Sequence, residues 1–116
     1  MKIKENEMKK ILMSVLALSV STVVANAGCS GTACSNVKIT KLYMTAGGTL
    51  YVGTDGTESA LDCTSPVGKY VSLAEGDIGK NAMYSLLLTS MTTDKKVSIK
   101  VVSGSPTCKV QYITAN

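Results

Sequence analysis

The hydrophobic pattern of this chain changes period more than once. Residues Ile11–Val24 form one apolar run, ILMSVLALSVSTVV, broken only by serines and a threonine. From Val37 onward apolar residues alternate with polar ones, as half-buried strands require. Around residue 80 the spacing becomes that of a helix, and after residue 96 alternation returns.

The first strand is predicted from Val37 to about Thr45. Val37 and Ile39 share one face, but the next apolar pair is Leu42 and Met44, so the phase slips. A slip of this kind predicts a β-bulge or a strong bend. Ala46-Gly47-Gly48 is a turn, and TLYVG (49–53) resumes alternation, with Leu50 and Val52 on one face and Tyr51 on the other. Asp55-Gly56 is a hairpin signal, followed by a weaker strand over 58–63 that puts Leu61 and Cys63 on one side. Ser65–Gly68 breaks the chain before a short strand at 69–73. The single helix is expected over about 79–92. Tyr84, Leu87, Leu88 and Met91 form its packing face, with Met83 and Met91 as core filler. Asp77 is the expected N-cap, and Lys95-Lys96 complement the negative end. Strands over 97–102 and 107–114 close the chain, the last with Cys108, Val110 and Tyr112 on one face.

The apolar run at 11–24 is too short to span a bilayer, which takes about 20 apolar residues. It follows Lys9-Lys10 and precedes Ala25-Asn26-Ala27, a small-x-small site. Residues 1–27 therefore read as a secretory signal peptide, with the true start at Met8 as an option and the mature chain beginning at Gly28. The expected location is periplasmic or secreted. The alternative is a lipoprotein anchored at Cys29, against which cysteine parity counts, because one of the remaining three would be left unpaired.

Export changes the charge picture. Lys2, Lys4, Lys9, Lys10, Glu5 and Glu7 lie in the leader, so the mature part is only slightly basic. It contains no arginine, the residue best suited to bidentate phosphate and guanine contacts, which argues against a nucleic-acid partner. The mature part is one small domain, near the size at which a core needs supplementing. Cys29, Cys34, Cys63 and Cys108 supply that supplement in an oxidising compartment. Four cysteines allow three pairings. The expected one is Cys29–Cys34 across a short Gly- and Ser-containing loop (28–36) and Cys63–Cys108 across most of the domain. Loop entropy assigns about 2 and about 4 kcal/mol to these bridges.

Strands, one helix, then two strands, with a bent first strand, predict a mainly β domain over 37–116. Its expected architecture is a small OB-like Greek-key barrel. Several segments carry a resemblance: KITKLYMTAGGTLYVGTDG, the lone Cys63, KNAMYSLLLTSMTTDKKVSIKV, and Cys108 followed by VQYI after one lysine. In these the chain resembles small exported bacterial proteins related to the B subunit of subtilase cytotoxin. That resemblance implies an OB-fold that assembles into a ring and binds cell-surface glycans. The quoted segments are structural rather than catalytic, and no ligand-binding residue is carried over from them.

Candidate chemistry is sparse. The chain has no histidine, so nucleophilic catalysis lacks its usual base. No cofactor and no metal are expected: thiol pairs with zinc spacing are missing, and Asp55, Glu58 and Asp62 do not follow the calcium-loop pattern. Paired carboxylates at Asp55/Glu58 and Glu75/Asp77 fit turn chemistry better than catalysis. Aromatic character comes from five tyrosines alone. Tyr51 and Tyr70 fall opposite the apolar faces of their strands, whereas Tyr84 and Tyr112 follow core spacing. Ligand-binding candidates are therefore Tyr51, Asp55, Glu58 and Tyr70. The expected role is a non-enzymatic binding domain for a glycan or a protein partner, with a homo-oligomer as a further expectation. The alternative is a periplasmic inhibitor or envelope-stress protein that plugs a partner's cleft with the loop GTDGTES (53–59).

Expression with its leader in a bacterial host should deliver the protein to the periplasm with Gly28 at its N-terminus. N-terminal sequencing that still finds residues 9–24 on the recovered protein would refute the export assignment.

Overall fold

The computed structural model describes residues 28–116. Residues 1–27, read from sequence as a secretory signal peptide, lie outside the described residues.

The chain opens with a tight hairpin. Strand β1 (Gly28–Ser30) turns back at Gly31 into β2 (Ala33–Met44), placing Cys29 directly opposite Cys34. Their disulfide spans the hairpin, with Cα atoms 3.9 Å apart. Residues 28–36, read from their small polar composition as irregular, are thus paired strand. Main-chain pairing and the crosslink order a segment that brings almost no apolar area of its own.

Strand β2 carries the fold, because it pairs on both sides. Its first half lies against β5 (Lys96–Val101) and its second half against β3 (Leu50–Thr54). Two register shifts divide it, one between Cys34 and Val37 and one between Ile39 and Lys41. Asn36, inside the first, sits at φ 55, a conformation Asn tolerates better than most residues. The second shift is the slip predicted from the alternation of Ile39 and Leu42. β4 (Val71–Leu73) pairs with β3, and β6 (Val110–Ala115) with β5, giving the antiparallel order β4-β3-β2-β5-β6. Helix α1 (Lys80–Thr92) connects β4 to β5 and packs against β2 and β6.

The sheet curls until its two edges touch. Ser72 in β4 donates its N–H to the Cys108 carbonyl (3.0 Å) and its hydroxyl to the Thr107 carbonyl (2.7 Å), making one parallel bridge with Lys109. The mainly β class, the single helix and both disulfides match expectation. The closed Greek-key barrel does not, because no ladder continues past that bridge. β4 is only three residues long, and the chain turns at Cys108, held at φ 46.

Inside the curl sit Val37, Ile39, Leu50, Val52, Val71, Leu73, Val97, Ile99, Val101 and Val110, with Leu87 from α1. Cys34 and Cys108 are fully buried among them. Each disulfide therefore has one end in the core.

Four local expectations need correcting. Residues 58–63 are not a strand. Asp55-Gly56 leads into a 3₁₀ turn (Glu58–Ala60), because Glu58 folds inward to accept from Thr54. The helix packs through Met83, Tyr84, Leu87 and Ser90, leaving Leu88 and Met91 exposed. Alternation within SLLLTSM could not say which leucine faces inward. The N-cap position is Gly79 rather than Asp77, whose carboxylate accepts from the Ala74 N–H and pairs with Lys109 at 3.3 Å. In β6 a register shift between Val110 and Tyr112 turns Ile113 inward and leaves Tyr112 52% exposed.

Leu87→Ala should destabilise the domain by about 2–5 kcal/mol in urea titration. Leu88→Ala should stay within about 0.5 kcal/mol of the parent. Equal losses at the two positions would contradict the observed helix face.

Candidate functional site: a tyrosine face on the outer sheet

The shift after Ile39 fixes which side chains leave the core. Past it, Leu42 packs against the core, while Lys41 and Tyr43 take the opposite parity and stand outside. Tyr43 is paired with Tyr51 of β3, and Tyr51 with Ser72 of β4. Directly opposed side chains on one face are close enough to interact. The rings of Tyr43 and Tyr51 stack with centroids 5.5 Å apart.

A third ring joins from the loop before β4. Tyr70 lies 5.7 Å from Tyr51 and 6.4 Å from Tyr43. Ser65 holds it in place, its hydroxyl donating to the Tyr70 carbonyl (2.8 Å) and accepting from the Tyr70 N–H (3.2 Å). A Cβ at Gly53 would touch the Tyr70 ring at ordinary contact distance, 3.5 Å, and crowd the Lys41 Cβ at 3.3 Å. The Lys41 ammonium lies 5.8 Å from the Tyr43 ring centre and 6.0 Å from that of Tyr70, within cation–π range.

Two hollows meet at Tyr70. One, of about 260 Å³, is bounded by the three tyrosines with Thr45, Pro66 and Val67. The other, of about 470 Å³, continues past Tyr70 between Lys41 and Lys69. Together they offer flat apolar faces, hydroxyl groups and two ammonium groups. That combination suits a partner that is apolar on one face and polar at its rim.

The four residues selected from sequence divide into two pairs. Tyr51 and Tyr70 come together, half-buried, in the aromatic cluster. Asp55 and Glu58 are engaged with the backbone nearby. The Asp55 carboxylate accepts from the Lys38 N–H at 2.9 Å, and the Asp55 N–H donates to the Lys38 carbonyl at 3.1 Å. Glu58 is only 4% exposed, and its carboxylate accepts from both the N–H (2.7 Å) and the hydroxyl (2.6 Å) of Thr54. Asp62 accepts from Ser103 instead of joining them. Among the described residues no group of three or more Cys, Asp or Glu side chains is placed to hold a metal ion. The residue that sequence reasoning left out is Tyr43. Its signal was present, since placing the bulge after Ile39 puts Tyr43 on the same side as Lys41.

No protein-family model, curated protein or solved structure matches this chain.

Glu58→Ala should lower stability by about 1–3 kcal/mol, because it strands two donors of Thr54 under the loop. Asp55→Ala, at an exposed site, should cost less. Chemical unfolding of the two variants checks the ranking, and the reverse order would overturn the structural role given to Glu58.

Proposed function

We propose that this chain is an exported, non-enzymatic binding domain whose tyrosine face engages a glycan. The observation that carries this is the contiguous cluster of Tyr43, Tyr51 and Tyr70 on the outer side of the sheet. These rings are not needed for the core, which lies on the other face. A sugar ring presents a C–H face and a rim of hydroxyls, and tyrosine matches both with one side chain. Tyrosine also orders at low entropic cost, having only two side-chain torsions to fix.

Other features support the same role. Two disulfides fit an oxidising compartment, and among the described residues no helix is long and apolar enough to cross a membrane. The strand order, the helix between β4 and β5 and the meeting of the sheet edges favour an OB-like description. With it comes the toxin-B-like expectation of self-assembly. The Asp55 carboxylate is held by the Lys38 N–H of β2, and that of Glu58 by Thr54 of its own loop. They do not face one another across a cleft, as paired acid–base catalysis would need. The same tethering makes 53–59 a poor plug for a partner's cleft.

Tyr43→Ala should weaken binding to any glycan found on an array by about tenfold or more, leaving circular dichroism unchanged. Tyr43 is the most exposed of the three rings, so its loss tests the surface rather than the fold. No glycan bound at millimolar concentration, or equal binding by the variant, would sink the assignment. Native mass spectrometry on the same sample reads the oligomeric state.

A further inference from the structure

Beside the tyrosine cluster the backbone holds one residue in a conformation its side chain disfavours. Val67 has φ 54 and ψ 15, and its side chain is 83% exposed. A β-branched residue in the left-handed region is a genuine outlier. Such strain persists only where the surroundings over-determine it, and it concentrates at ligand clamps.

The surroundings here do so. Cys63, just upstream, is tied to Cys108. Pro66 fixes φ at the second position of the Ser65–Gly68 turn. The Gly68 N–H donates to the Ser65 carbonyl (2.9 Å), the Lys69 N–H to the Pro66 carbonyl (3.1 Å), and the Ser65 hydroxyl closes the loop onto Tyr70. The loop is thus braced from both ends, and it displays an isopropyl group in water at the edge of an aromatic cleft. Gly68, the next residue, is left-handed too, so relief of strain was one position away.

We infer that Val67 is a specificity-determining residue, and that the glycan bound on the tyrosine face carries an acetamido group whose methyl packs against Val67 and Pro66. The inference rests on the glycan role of that face. An aliphatic wall beside a plain hydroxyl would dehydrate it without returning a hydrogen bond, which is unfavourable. Beside a methyl group, the same wall buries apolar surface on both sides. Thr45, which lines the same hollow, suits the rest of the substituent. The Thr45 hydroxyl already accepts from the Thr49 N–H at 3.1 Å, leaving its proton to donate to an amide carbonyl. Thr45, Pro66 and Val67 line one hollow with the three rings.

The test compares chitotetraose with cellotetraose, which differ in carrying an acetamido or a hydroxyl group on each ring. Titrations follow tyrosine fluorescence of the exported protein, which contains no tryptophan. The parent should prefer chitotetraose by about tenfold, the usual scale of discrimination by one apolar group. Val67→Gly should lose that preference while keeping or raising the unfolding temperature, because glycine adopts positive φ without penalty. Equal binding of both sugars by the parent, with Tyr43→Ala abolishing it, would overturn the acetamido inference and leave the glycan role standing. A preference retained in Val67→Gly would overturn the part given to Val67. Binding of neither sugar by the parent would overturn the inference, and a blank glycan array alongside would take the glycan role with it.

Discussion

The structure depends on β2 serving two neighbours at once. A regular strand would extend flat between β3 and β5 and leave both ends of the sheet open. Shifts at Asn36 and after Ile39 let β2 bend, so that its first half faces β5 and its second half faces β3. That bend turns the sheet into a curl and gives Leu50, Val71, Val97, Ile99 and Leu87 a common interior. It also brings β4 and the lead-in to β6 close enough for Ser72 to bridge them. The curl is held without a continuous ladder. The Ser72 hydrogen bonds and the Cys63–Cys108 bridge act on the same stretch of chain.

The same bend produces the candidate site. An extra residue in a strand reverses the facing of all that follow it. Val37 and Ile39 point inward before the shift, and Lys41 and Tyr43 point outward after it. Tyr43 then meets Tyr51 across the ladder, and the Ser65-held loop adds Tyr70. Core and site are thus two faces of one sheet segment. Mutations that straighten β2 should disturb both together.

The disulfides make this affordable in a small domain. The loop closed by Cys63–Cys108, with a separation of 45 residues, contains β4, α1 and β5. It shortens the search of the unfolded chain and anchors the place where the two sheet edges share a single bridge. The loop from Cys63 to Tyr70 inherits that anchoring. This is why an exposed valine at positive φ can be held beside the rings.

The strands over 37–54, the bulge after Ile39, a helix at about 79–92 with two strands after it, and the disulfide pairing were legible in the sequence. Each rests on local signals: alternation, a 3.6-residue period, glycine turns and loop lengths. Tyr51 and Tyr70 were legible as outward residues for the same reason. Which helix face packs was not, because three consecutive leucines satisfy several rotations equally. The inward turn of Glu58 and the outward turn of Tyr112 also escaped, since each depends on a contact or register shift supplied by another segment. The joining of Tyr43, Tyr51 and Tyr70 into one surface, and the strain at Val67 beside it, are decisions of tertiary structure alone. They require β2 to bend first, and a bend shows in sequence as a slip of phase without saying what it brings together.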